Sequence, residues 1–277
     1  MEHAKWNSFS CLAPLSKHSG MKFKTLKVNI QKRVGWITIN RPKKLNALNR
    51  ETLAELHHAL ATLEEDNNVR LLVIRGAGDT AFVAGADIRE LAELSASEGA
   101  DLAKQGNQQV FDYIEHYNKP VIAAVNGYAL GGGLELAMAC HLRVFADTAK
   151  VGMPETSLGL IPGYGGTQRL PLLVGRGRAM ELLLTGDMID AQRAYEIGLA
   201  NAVCSPKELD AKVLELAAAI LKNAPEAQLQ LLAAVCAGYD PQTDGYVAET
   251  EAFGACFGTD NFTQGTKAFL QKRKPKF

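Results

Sequence analysis

Two short apolar runs, LLVI opening LLVIRG at 71–76 and PVIAAV at 120–125, constrain this chain more than any other feature. Each has the length of a strand, and neither alternates with polar residues as a half-solvated strand would, so both read as buried strands. The segment before the first carries Leu53, Leu56, Leu60 and Leu63 at helical spacing, and VGWITI at 34–39 is a further β-rich run that Asn40-Arg41-Pro42 ends. The order strand, helix, strand is repeated downstream. A helix is expected over 101–117, another over 134–140, and a strand over 142–146. Repeated β-α units need crossover connections, which makes the expected class α/β with largely parallel pairing.

After about residue 175 the pattern changes to helix after helix, over 178–184, 191–198, 207–221 and 226–237, with a final stretch ending in KAFLQKRKPKF. The chain is therefore read as a disordered extension (1–20), a β-α core (21–205) and a helical region (206–277), with Met21 opening the patterned sequence. Thirty basic residues balance thirty acidic ones, so no global field draws in nucleic acid or an anionic membrane. The basic tail of Lys272, Arg273, Lys274 and Lys276 is read as a solvated charge run. No apolar run reaches the length of a membrane helix. The five cysteines, at 11, 140, 204, 236 and 256, are odd in number, far apart and free of any C-x-x-C pair. They fit a reducing compartment, and a cytoplasmic location is expected. The mitochondrial matrix is the alternative suggested by the few bases in MEHAKWNSFSCLAPLSKHSG.

Three glycine-bearing segments carry the chemistry. In GYALGGGLELAMAC (127–140), Gly131, Gly132 and Gly133 follow a buried strand and precede a helix. That arrangement points free backbone N–H groups, and the partial positive charge of a helix start, at a ligand. The same glycines could instead serve only tight helix packing. GGGLEL lacks the G-x-G-x-x-G spacing of a dinucleotide site, and the chain has no G-K-[ST] phosphate loop. Gly85-Ala86-Asp87 could present a second N–H into the same cleft if its strand is a neighbour; alternatively it is a surface loop with an Asp N-cap. In KVGMPETSLGLIPGYGGTQRL (150–170), Glu155 lies among apolar and glycine residues, twenty positions beyond Glu135. Desolvation would raise the pKa of either carboxyl, letting one hold a proton at neutral pH while the other stays ionised.

Taken together with NRPKKLNALN (40–49), the segments AFVAGADIREL (81–91), NGYALGGGLELAMAC (126–140) and MPETSLGLIPGYGGTQRL (153–170) resemble the crotonase family, and within it the enoyl-CoA hydratases. The similarity in order and spacing runs from about residue 25 to the C-terminus. It implies a crotonase-like spiral of β-β-α turns with a C-terminal helical trimerisation region, assembled as a homotrimer or a dimer of trimers. The implied activity is reversible hydration of short trans-2-enoyl-CoA to 3-hydroxyacyl-CoA.

Carried over by position, the resemblance makes the Ala86 and Gly132 amides the oxyanion hole for the thioester oxygen. It makes Glu135 and Glu155 the catalytic pair, Glu135 activating water and Glu155 delivering the proton. Coenzyme A, part of the substrate rather than a separate cofactor, would follow Lys44, Leu45, Ala84, Ala86, Asp87, Ile88, Arg89 and Gly132. No metal, nucleic acid or membrane partner is implied. Double-bond isomerisation on the same scaffold, or a noncatalytic RNA-binding member of the family, are the competing readings. Three residues depart from the family pattern: His141 where an acidic residue is frequent, Met153 where Gln is, and Tyr164 where a small residue is. Met153 and Tyr164 bear on the acyl pocket, and His141 is expected to be structural.

Overall fold

The computed structural model describes residues 22–277, so the expected disordered extension over 1–20 and the reading of Met21 as the start lie outside the described residues. Ten strands form two sheets among the described residues: β1 (Leu26–Gln31), β2 (Val34–Ile39), β3 (Leu71–Gly76), β4 (Ala81–Val83), β5 (Val121–Val125), β6 (Tyr128–Leu130), β7 (Leu142–Ala146), β8 (Lys150–Gly152), β9 (Met188–Asp190) and β10 (Ala202–Cys204). The larger sheet runs β1-β2-β3-β5-β7-β10 and the smaller β4-β6-β8-β9. Pairing is parallel except at β1-β2 and β8-β9.

The chain hops between the sheets once per turn. From β3 it crosses to β4 and then enters helix Ala96–Gly106; from β5 to β6 and helix Gly132–Ala139; from β7 to β8 and helix Gly166–Val174. This is the β-β-α spiral, and it explains why both apolar runs are unbroken. Leu72 and Ile74 of β3 face the core between the sheets, while Leu71 and Val73 face a second core closed by Leu209, Val213 and Ala217 of helix Leu209–Leu221. A strand covered on both faces has no polar side to show.

The structure alters several expected elements. The expected 101–117 helix begins at Ala96, where Ser95 and Glu98 form a capping box. It passes through a π-helical stretch, Asn107–Phe111, and ends at Glu115. The helix expected from Leu134 starts two residues earlier, at Gly132. The region read as helix after helix also contributes β9 and β10, three residues each, too short to impose a period on the sequence. Its final stretch divides into helices Gly245–Cys256 and Asp260–Leu270. Among the described residues, no helix is long and apolar enough to cross a membrane.

Candidate active site

Because β4, β6 and β8 are adjacent and parallel, the turns that follow them emerge side by side at one end of the smaller sheet. The first carries Ala84-Gly85-Ala86, the second Gly131-Gly132, and the third Met153-Pro154-Glu155. Segments separated by tens of residues thus meet through strand order alone.

The first turn is fixed by a parallel bridge between Leu48 and Ala86, in which Leu48 N donates to Gly85 O (2.8 Å) and Asp87 N to Leu48 O (2.7 Å). That pattern leaves Ala86's own N–H turned away from Leu48. Gly132 is the first residue of its helix, so its N–H has no partner within the helix. Among the described residues, neither amide donates to a protein acceptor. The two lie close together, since a Cβ placed on Gly132 would stand 3.7 Å from Ala86 N.

The flanking glycines serve other needs. Gly131 has φ +49° and ψ −123°, a conformation that L side chains avoid, and a Cβ there would stand 2.6 Å from Glu155 Oε1. At Gly133 a Cβ would fall 1.9 Å from Val83 O, because the helix packs directly on the β4 backbone.

Glu135, one turn into that helix, is 1% exposed, and its Oε1 accepts from Tyr164 N and Gly166 N, both at 2.8 Å. Burial lifts its pKa from 4.5 to about 7; the two amides oppose the rise, Glu155's charge adds to it, and Arg169 works against it. Glu155 sits on the short 3-10 helix Pro154–Leu158, its pKa also raised by burial, and its buried Oε2 has no hydrogen-bond partner. Both glutamates line one cavity of ≈ 720 Å³ with Ala84, Ala86, Ile88 and Gly132. Leu91, Leu94, Leu102, Leu158 and Ile161 make much of the remaining wall apolar. Such a cavity suits an acyl group with one polarised end.

The other residues expected to bind substrate, Lys44, Leu45, Asp87 and Arg89, do not line this cavity. Lys44 ends the short 3-10 helix Pro42–Lys44, and Leu45 follows it, its O accepting from Ala84 N at 3.1 Å. Asp87 pairs with Arg41 Nη2 at 3.0 Å, and that bond holds its carboxyl below the usual range. His141 stands apart from the cavity. Its Nδ1 accepts from Val121 N (2.9 Å), which leaves the proton on Nε2 facing Glu115 O (3.3 Å), and burial pushes its pKa down to about 4. Met153 is buried behind Gly166, and Tyr164 forms part of the cavity wall, its ring stacked on Phe111 at 4.5 Å.

A model of the enoyl-CoA hydratase/isomerase family matches residues 29–277. The chain belongs to the enoyl-CoA hydratase/isomerase family. Among curated members, a crotonyl-CoA hydratase of Syntrophomonas wolfei is 46% identical over 93% of this chain and 99% of its own length. A short-chain-enoyl-CoA hydratase of Clostridium acetobutylicum is 46% identical over 87% of this chain and 93% of its own length. The crystal structure of an enoyl-CoA hydratase from Bacillus anthracis superposes with a TM-score of 0.86 at 38% identity, covering 92% of this chain and 99% of that one. These relationships establish the crotonase fold for this member of the family.

Sequence reasoning missed the groups behind Glu135: the Tyr164 and Gly166 amides, and buried Arg169 beneath them. A signal existed. Arg169 directly precedes the apolar run LPLLV, and Asp112 and Glu115 are spaced to share one helical face.

Proposed function

We propose that this protein reversibly hydrates short trans-2-enoyl-CoA thioesters to 3-hydroxyacyl-CoA. The observation that carries the reading is the meeting, in one largely apolar cavity, of two partnerless amides and two carboxyls with raised pKa values. The names of the 46% identical relatives support the same reaction class.

In this reading Ala86 N–H and Gly132 N–H bind the thioester oxygen. Water attacks C3 while Glu135 accepts its proton, the C2=C3 electron pair moves toward the carbonyl, and the enolate charge that collects on the oxygen is met by the two amides. Glu155 then protonates C2, giving the 3-hydroxyacyl thioester. The order of the two glutamates is carried over from the family resemblance; the two amides on Glu135 Oε1 suit it to hold the charged form that accepts a proton. Coenzyme A would lie along the loops 43–45 and 84–89 as part of the substrate, with no further cofactor. The exposed apolar side chains Tyr246, Phe253, Phe269 and Leu270 of the C-terminal helices would pack between subunits of a trimer or a dimer of trimers. A cytoplasmic location accords with this chemistry.

The test is loss of enoyl-thioester absorbance on adding protein, with the product identified by mass. A gain of one water supports hydration, an unchanged mass with a moved double bond supports isomerisation, and no turnover with salt-sensitive RNA binding supports the noncatalytic reading.

A further inference from the structure

Glu135 is held by a loop, and that loop is itself held from behind. Gly165 has φ +90°, which turns the chain so that Tyr164 N and Gly166 N converge on one carboxylate oxygen. On the reverse side Tyr164 O accepts from Arg169 Nη1 at 2.8 Å, and a Cβ on Gly165 would fall 2.1 Å from that same Nη1. The loop is wrapped against the guanidinium.

Arg169 is 6% exposed and is anchored in turn. Its Nε and Nη2 donate to Glu115 Oε2 (3.0 and 2.7 Å), Nη2 donates to Asp112 Oδ1 (2.7 Å), and Nη1 reaches Asn107 Oδ1 (3.5 Å). These acceptors lie on the π-helical stretch and the helical turn after it, the same segment that stacks Phe111 on the Tyr164 ring. A planar fork of donors suits this task, because it can satisfy a backbone carbonyl and two carboxylates at once. An ammonium cannot.

We propose that Arg169 is a positioning residue for Glu135, clamping the 164–166 turn to the 107–115 segment so that two amides fix the carboxylate in the cavity. The inference rests on the reading of Glu135 as the group that takes the proton from water. The charged and titratable groups facing Glu135 are Glu155, Arg169 and the Tyr164 ring; those facing Arg169 are Asp112 and Glu115. Releasing the clamp withdraws donors that favour Glu135's charged form. Its pKa then rises, and the acid limb of the rate profile moves to higher pH.

The experiment compares Arg169→Lys and Gly165→Ala with the parent protein. The first replaces the fork; the second forces the loop off an intact arginine. Both are expected to lower kcat about 10- to 100-fold, the scale of a misplaced catalytic group, with KM changed much less. Both are also expected to raise the midpoint of the acid limb and the carboxyl titration of Glu135 followed by carbon NMR. His141→Gln, which perturbs the neighbouring Glu115 carbonyl, is expected to leave both midpoints in place. An unmoved acid limb and an unmoved Glu135 titration in either folded variant would overturn the proposal. If Glu135→Gln keeps the parent rate, the underlying mechanism fails; if that variant is inactive while Arg169→Lys titrates like the parent, only the clamp fails.

Discussion

The helix carrying Glu135 and the 3-10 segment carrying Glu155 face the same cavity but are built on different plans. Behind Glu135 stand a fully buried helix packed on the β4 backbone, two amides and a buried arginine network. Glu155 sits on a five-residue segment with no buried residue, and its inner oxygen has no donor. Burial raises both pKa values, but only at Glu135 do two amide donors from the neighbouring loop oppose the rise. Two identical side chains thus meet different balances of burial and backbone dipoles.

The sharpest way to break this comparison is to neutralise each carboxyl. Glu135→Gln and Glu155→Gln should each lower turnover by about 10²–10⁴-fold with unchanged circular dichroism. Near-parental rates in both would end the two-glutamate reading. Next come the glycines. Gly132→Ala places a Cβ in ordinary contact with Tyr164, 3.7 Å from Ala86 N, so kcat/KM should fall at least about tenfold while the melting temperature hardly moves. Gly133→Ala should do the reverse, costing about 1–3 kcal/mol of stability because its Cβ meets Val83 O. If both variants lose activity only in proportion to folded protein, the proposed role of the Gly132 amide fails.

A subtler difference lies in pH dependence. Glu135 has its pKa raised from 4.5 to about 7, so between those values the folded protein holds a proton that the unfolded chain has released. Stability from this group is therefore present below pH 4.5 and lost as pH rises through 7. Urea denaturation should show Glu135→Gln gaining on the parent by about 3 kcal/mol between about pH 4.5 and pH 8. A constant difference would mean that Glu135 is not desolvated in solution. The smallest effect is expected at His141, which stands outside the cavity: His141→Gln should cost about 1–2 kcal/mol of stability and leave kcat within about twofold.

The legible parts of the fold were those with a period. The long helix Arg50–Glu65 is marked by Leu53, Leu56, Leu60 and Leu63, and β3 and β5 by unbroken apolar runs. β1 was missed because it joins β2 through Lys32 and Arg33, both at positive φ without the usual glycine or asparagine. β9 and β10 are too short to show alternation. At the site, Ala86, Gly132, Glu135 and Glu155 were marked by glycine-rich turns after strands, and the cavity gathers all four. Asp87, expected to contact the substrate, has its carboxylate tied to Arg41.

By itself the sequence determined most of the longer strands and helices, where glycine was required, and which carboxyls would be drawn from water. Apolar periodicity and the steric freedom of glycine are properties of a few neighbouring residues. Only the tertiary structure decided that β4, β6 and β8 lie side by side, that Gly132 stands next to Ala86, and that Arg169 secures the loop holding Glu135. Those relations depend on strand order and on directed hydrogen bonds between distant segments, which no local pattern of residues encodes.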